Sequence, residues 1–235
     1  MIPSAAFTER AAPVGDLLAT RPLIRSINFH NTPRARVADF ERQLEHCSRH
    51  FSPVNEQDLD SYLSTGRWHK AKPGMILAFY EGYRNGYDVI VPLLERYGLV
   101  GWFFVITGFV EAPPGEQLAF ASRHGIGMAT NEYSDGRYAM TWSELREIDR
   151  SHVVASHARS HLRIAPMDEA MRNVEIVGAQ KTFEEHLGHP VRAFAARSGP
   201  AYGEHSETDR LIDAAGHQFV FSNYQIQRLR KWDRS

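Results

Sequence analysis

Apolar positions along this chain switch between two spacings, compact blocks of about five residues and longer stretches where they recur every three or four. Residues 23–28 read as a first strand, and Val37, Phe40, Leu44, Cys47 and Phe51 then share one helical face across 36–51. A second helix is expected over 56–64. Residues 75–79 form a short apolar strand, followed by Ile90, Leu93, Leu94 and Tyr97 on one helical face, with Gly98 at the expected stop. Residues 99–106 give the next strand. Strand and helix alternate, which predicts a parallel sheet with helices outside it.

Periodicity weakens over 107–140, where Pro113-Pro114-Gly115 and Asp135-Gly136 break it. A stretch of that length predicts a lid or binding loop. Thr141-Trp142-Ser143-Glu144 is a capping-box pattern that opens a helix through Ile148. After it come a strand over 152–156 and a long helix to Leu187 whose apolar face is set by Met167, Met171, Val174 and Val177. A strand over 191–196, a helix over 206–215 stopped by Gly216, and a last strand over 218–222 complete the pattern.

Composition adds bounds. With 235 residues, 43% of them apolar, the chain can bury one sizeable core. A net charge of -1 supplies no field for nucleic acid or an anionic membrane, although Arg228, Arg230, Lys231 and Arg234 make the tail locally basic and solvated. The only cysteine, Cys47, allows no intrachain disulfide and sits in a helical pattern as a small buried hydrophobe. Trp68, Trp102 and Trp142 are core candidates. Residues 1–16 carry Glu9 and Arg10 and no continuous apolar run, and no stretch reaches the length of a membrane span. A cytoplasmic location and no membrane partner are therefore expected, which favours a small intracellular amide or ester as substrate.

Candidate chemistry concentrates where strands end. His157 and His161 stand four apart after the apolar run Val153-Val154-Ala155, and Glu81 ends Phe79-Tyr80-Glu81-Gly82. Two imidazoles and one carboxylate can hold a divalent metal and leave positions for water and substrate. A His-x-x-x-His pair alone arises often by chance among 12 histidines. Its place after a strand, with a carboxylate at another strand end, is what strengthens it. His30 ends the first strand and has a reference pKa, about 6.5, suited to moving protons; His205 is a weaker candidate of the same kind.

These segments resemble the polysaccharide deacetylase (NodB-homology, carbohydrate esterase 4) superfamily. The run from Ile76 to Tyr83 is similar to its first block, a strand ending Thr-Phe-Asp-Asp-Gly. His157 to His161 is similar to the second, His-Ser/Thr-x-x-His, and Arg197 to Tyr202 loosely to the third, Arg-x-Pro-x-Tyr. The resemblance implies a distorted (β/α) barrel, incomplete at the C-terminal side, with site residues at the carboxyl ends of strands. It also implies an N-terminal extension over 1–20 and a NodB-like deacetylase domain over 21–235. Because the later Asp and His blocks are not found, few strands complete the barrel, or another segment or a second subunit closes it, making a homo-oligomer one expectation.

By the same resemblance Glu81, His157 and His161 are metal ligands, and Tyr80 stands where the family has its general base. A phenol of reference pKa about 10 is a poor base at neutral pH. Arg197 would orient the base, or else pair with an acid structurally. Tyr202 would offer its backbone N–H to a substrate oxyanion, and His30 is the other candidate for the missing base. The implied cofactor is a divalent metal, zinc or alternatively cobalt, nickel or iron. The implied activity is metal-dependent hydrolysis of a linear N-acyl amide in a carbohydrate-like or small-molecule substrate. Two further readings stay open: an inactive homologue that binds or assembles, and an iron redox or lyase role, since two histidines and a carboxylate also form the non-haem iron triad.

Overall fold

The computed structural model describes residues 24–164, 166–197, 202–203, 206–221 and 226–229. The 1–20 extension, His205 and most of the basic tail lie outside these residues.

One curled sheet of eight strands organises them. Strands β1 (Ile24–Phe29), β3 (Gly74–Glu81), β4 (Gly101–Val105), β5 (Val153–Ser156), β6 (Ala193–Ala195) and β7 (Phe219–Phe221) run parallel in that order. The two-residue strand β2 (Ser52–Pro53) also pairs with β3. Every residue of β3 and β4 is buried, as expected of parallel strands covered on both faces. Alternation sorts their side chains. Ile76, Ala78, Tyr80, Trp102, Phe104, Ala155, Ala195, Phe219 and Phe221 fill the concave interior, where the Trp102 indole donates to the Val54 carbonyl at 2.7 Å. Leu77, Phe79, Phe103, Val105 and Val154 face outward. There they meet helix α1 (Val37–His50) through Phe40, Leu44 and Cys47, helix α3 (Val91–Arg96) through Leu93 and Leu94, and helix α6 (Trp142–Ile148) through Leu145.

Between these lie α2 (Glu56–Thr65), α4 (Thr107–Glu111) and α5 (Gln117–His124), so the 107–140 excursion is partly helical. Helix α6 opens with the expected capping box, Thr141 accepting from the Glu144 N–H while Glu144 accepts from the Thr141 N–H. Helix α7 (Glu169–Asn173) continues through a π-turn, Val174–Gly178, into α8 (Ala179–Leu187), and α9 (Ser206–Ala214) precedes β7.

Two sequence expectations are corrected here. The strand over 218–222 is not the last: β8 (Ile226–Leu229) returns antiparallel against β7 with a register shift at Val220/Phe221. The α7–α8 helix does not bury the face set by Met171 and Val174, which are 49% and 51% exposed. The inward residues are Arg172, Glu175, Ile176, Ala179 and Phe183. The π-turn inserts a residue and rotates the helix face across it. Among the described residues β1 and β8 remain the two edges, so the barrel is open, and no helix is long and apolar enough to cross a membrane.

Candidate metal centre

Strand register assembles the site. Phe29 pairs with Phe79, so His30 lies beside Tyr80, and Glu81 pairs with Val105, itself opposite Ser156, which brings Glu81 and His157 to one level. Glu81 and Gly82 take left-handed φ of 73° and 85°, turning the chain at the end of β3. Among the described residues the other non-glycine residues with such φ are Asn131, Ala158 and His161, the last two in the histidine loop. Backbone strain of this kind gathers at functional sites.

Both loop imidazoles are oriented by main-chain oxygen. His157 Nδ1 lies 2.7 Å from the Ala195 carbonyl and His161 Nδ1 3.0 Å from that of His124. A carbonyl only accepts, so each Nδ1 carries the proton and each Nε2 keeps its lone pair. Burial lowers His157 to about 3 and His161 to about 4, so both rings are neutral at physiological pH. One donor atom from each ring and one Glu81 oxygen lie within 4.8 Å of one another, with His161 Nε2 3.8 Å from Glu81 Oε1. Neutral imidazoles with Nδ1–H fixed on carbonyls, facing a carboxylate, are the donor set a divalent ion takes. The residues present fit such a group.

His30 completes the cluster. Its Nδ1 reaches both Glu81 oxygens, at 2.9 and 3.1 Å, and its side chain is half exposed. That hydrogen bond raises its pKa, while burial raises that of Glu81. A carboxylate accepts, so His30 Nδ1–H donates to Glu81 and His30 Nε2 is the ring atom left outside that bond.

Tyr80 makes no hydrogen bond to the donor atoms. Its ring is 2% exposed, stacked on Phe104 at 4.9 Å and met edge-on by His157 at 5.0 Å. Its hydroxyl has no hydrogen-bond partner, and burial drives its pKa above the ordinary phenol value. Arg197 Nη1 donates to the carbonyls of His124 and His161 at 2.8 and 3.1 Å, backing a ligand loop rather than touching Tyr80. The Tyr202 phenol donates to the Asp213 carboxylate at 3.1 Å, and the ring packs against the cluster that includes Ile176 and Ile212.

A cavity of about 570 Å³ opens over the cluster, walled by His30, Glu81, Tyr83, Gly127, His161 and Arg197. The 107–140 excursion supplies part of that wall, as expected. Tyr83 Oη–H and Asn31 Nδ2–H both donate to the Gly127 carbonyl, at 2.7 and 3.3 Å. Buried Asn85 bonds Asn31 and Glu132 at 2.7 and 2.9 Å, tying the His30 loop to the excursion. Asn85 escaped the sequence reading because a lone amide beside a helix start carries no spacing signal.

The polysaccharide deacetylase family model matches residues 69–220, which hold β3 to β6 and the histidine loop and end within β7. The chain belongs to the polysaccharide deacetylase family. Its fold is the NodB-type (β/α) barrel. IcaB from Ammonifex degensii superimposes with a TM-score of 0.61 at 20% identity, covering 89% of this chain and 88% of that one. The Streptococcus pyogenes deacetylase PplD, in complex with acetate, gives 0.61 at 14% identity over 83% and 80%. The deacetylase domain of BpsB from Bordetella bronchiseptica gives 0.56 at 17% identity over 86% and 84%. In sequence, the poly-β-1,6-N-acetyl-D-glucosamine N-deacetylase of Escherichia coli K12 is 29% identical over 93 residues, 38% of this chain and 12% of that protein.

Proposed function

We propose that this deacetylase-family chain is a metal-dependent hydrolase of a linear N-acyl amide bond in a carbohydrate-like substrate, with His30 as the proton-moving group. The observation that carries the reading is the convergence of two neutral imidazoles, each pinned through Nδ1 to a carbonyl, on buried Glu81. Glu81, His157 and His161 would hold the ion, zinc suiting a nitrogen and oxygen donor set best. When bound, the ion supplies Lewis acidity toward an acyl carbonyl and toward water.

The remaining work falls to side chains. His30 directs Nδ1 at Glu81 and leaves Nε2 on the cavity side, where it can take a proton from water and return it to the departing nitrogen. Arg197 and the His124 carbonyl steady His161. Tyr80 closes the floor beneath the cluster and keeps water from the barrel interior.

The test is acetate release from N-acetylglucosamine oligomers and small acetamides by protein stripped with chelator and reloaded with zinc. Turnover that returns with metal, and falls about 10²-fold or more in His30→Ala at unchanged zinc content, supports the proposal. One observation favours the inactive-homologue reading: the family's base position holds a buried phenol. Zinc bound without turnover on any substrate selects that reading. Weak deacetylation gained by Tyr80→Asp together with Glu81→Asp would then identify what had been lost.

A further inference from the structure

The π-turn in the long helix has its own use. Helix residues 175 and 176 both turn inward there, and Glu175, 6% exposed, is carried under the loop that joins the two histidines. Its Oε2 accepts the N–H groups of Arg159 and Ser160 at 3.1 and 2.8 Å, and its Oε1 accepts the Ser160 hydroxyl. From the opposite side Thr107 and Gly108 donate to the carbonyls of Ala158 and Arg159 at 3.3 and 2.9 Å. The loop is thus gripped between helix α4 and one carboxylate.

That grip answers a cost. Ala158 and His161 hold left-handed φ of 63° and 56°, which L-residues with a Cβ avoid unless their surroundings impose it. Without the Glu175 acceptors, the N–H groups of residues 159 and 160 would lose their partners and the loop could relax. Relaxation would swing His161 away from Glu81 and His157. An anionic acceptor of three hydrogen bonds is also stronger than a neutral one.

We propose that Glu175 is the positioning residue of the metal centre, its carboxylate fixing the Arg159–Ser160 backbone so that His161 meets His157 and Glu81. The proposal rests on the metal-centre reading above and deepens it. Glu175 touches neither ion nor substrate, so its effect is on affinity and ligand geometry.

The experiment compares wild type, Glu175→Ala, Glu175→Gln and Ser160→Ala by zinc affinity in a competing chelator and by the visible spectrum of the cobalt-substituted protein. Circular dichroism and urea unfolding of the metal-free forms serve as the measure of fold. Glu175→Ala should weaken zinc about 10- to 100-fold, the usual scale for a group that orients a ligand, and alter the cobalt bands. Glu175→Gln should recover most of the affinity, because its amide oxygen still accepts both backbone N–H groups. Ser160→Ala, which removes one hydrogen bond and leaves the carboxylate, should cost about 3- to 10-fold in a folded protein. It keeps the test decisive if Glu175→Ala fails to fold. Zinc affinity within twofold of wild type and an unchanged cobalt spectrum in Ser160→Ala and every folded Glu175 variant would overturn the proposal alone. Wild type that binds no zinc would overturn the metal-centre reading itself, and the role of Glu175 with it.

Discussion

Replacing Tyr80 by Phe removes a hydroxyl that is buried without a partner, and the folded protein should gain about 1 kcal/mol. Urea unfolding measures this, and a loss of similar size would show that the hydroxyl has a partner. Acetate release should persist in the same variant. A fall of about 10²-fold would return the base to Tyr80. His157→Ala should abolish stoichiometric zinc binding, measured by metal content after dialysis, because it removes one of three protein ligands. The convergence of Glu81, His157 and His161 was legible in the sequence because Glu81 ends one apolar strand, the two histidines follow another, and parallel register brings strand ends to one level. The surroundings of Arg197 were not legible. Its two carbonyl acceptors belong to His124 and His161, brought together by the fold of the excursion rather than by any spacing near residue 197.

At the scale of elements, helix α4 and the histidine loop approach so closely that a Cβ on Gly108 would lie 2.6 Å from the Arg159 carbonyl oxygen and 3.1 Å from the Phe120 ring. Gly108→Ala should therefore displace the loop and weaken zinc binding while leaving β3 and β4 folded. Chelator competition read alongside circular dichroism checks this, and unchanged affinity would mean the loop tolerates the shift. Strands β1 and β3 to β7 and the Thr141 cap were readable because compact apolar blocks, period-3.6 patterns and capping chemistry are local, whereas the two-residue β2 carries no such pattern. The α7–α8 face was misread for a physical reason. Its inward side carries Arg172 and Glu175, charged residues that bond Glu207 and the histidine loop, so apolar periodicity pointed to Met171 and Val174 instead. A charged residue in line with Ile176, Ala179 and Phe183 was the available signal. Strand β8 is short, and its antiparallel partner β7 is interrupted by a register shift, which left no clear alternation to read.

The whole molecule is an open barrel whose site lies at the carboxyl ends of its parallel strands, and its buried imidazoles set its acid stability. Burial holds His157 at about 3 and both His161 and His217 at about 4. Unfolded chains bind those protons below about pH 6.5, whereas the folded protein does not. Stability of the metal-free protein is therefore complete above that pH and falls as pH drops toward 4, by up to about 1.4 kcal/mol per pH unit for each ring. His30 has the opposite sign: its bond to Glu81 stabilises below about pH 6.5 and is lost as pH rises through its raised folded value. Exposure makes that contribution smaller, so the urea midpoint should fall from pH 8 to pH 5, and a flat profile would contradict the burial of neutral rings. Whether Glu81, His157 and His161 together hold a metal is read from X-ray absorption of the zinc-loaded protein. Two imidazole nitrogens and a carboxylate oxygen should surround the zinc at about 2.0 to 2.2 Å, with one imidazole missing in His157→Ala. A zinc shell that lacks imidazole, or one unchanged by His157→Ala, would contradict that ligation.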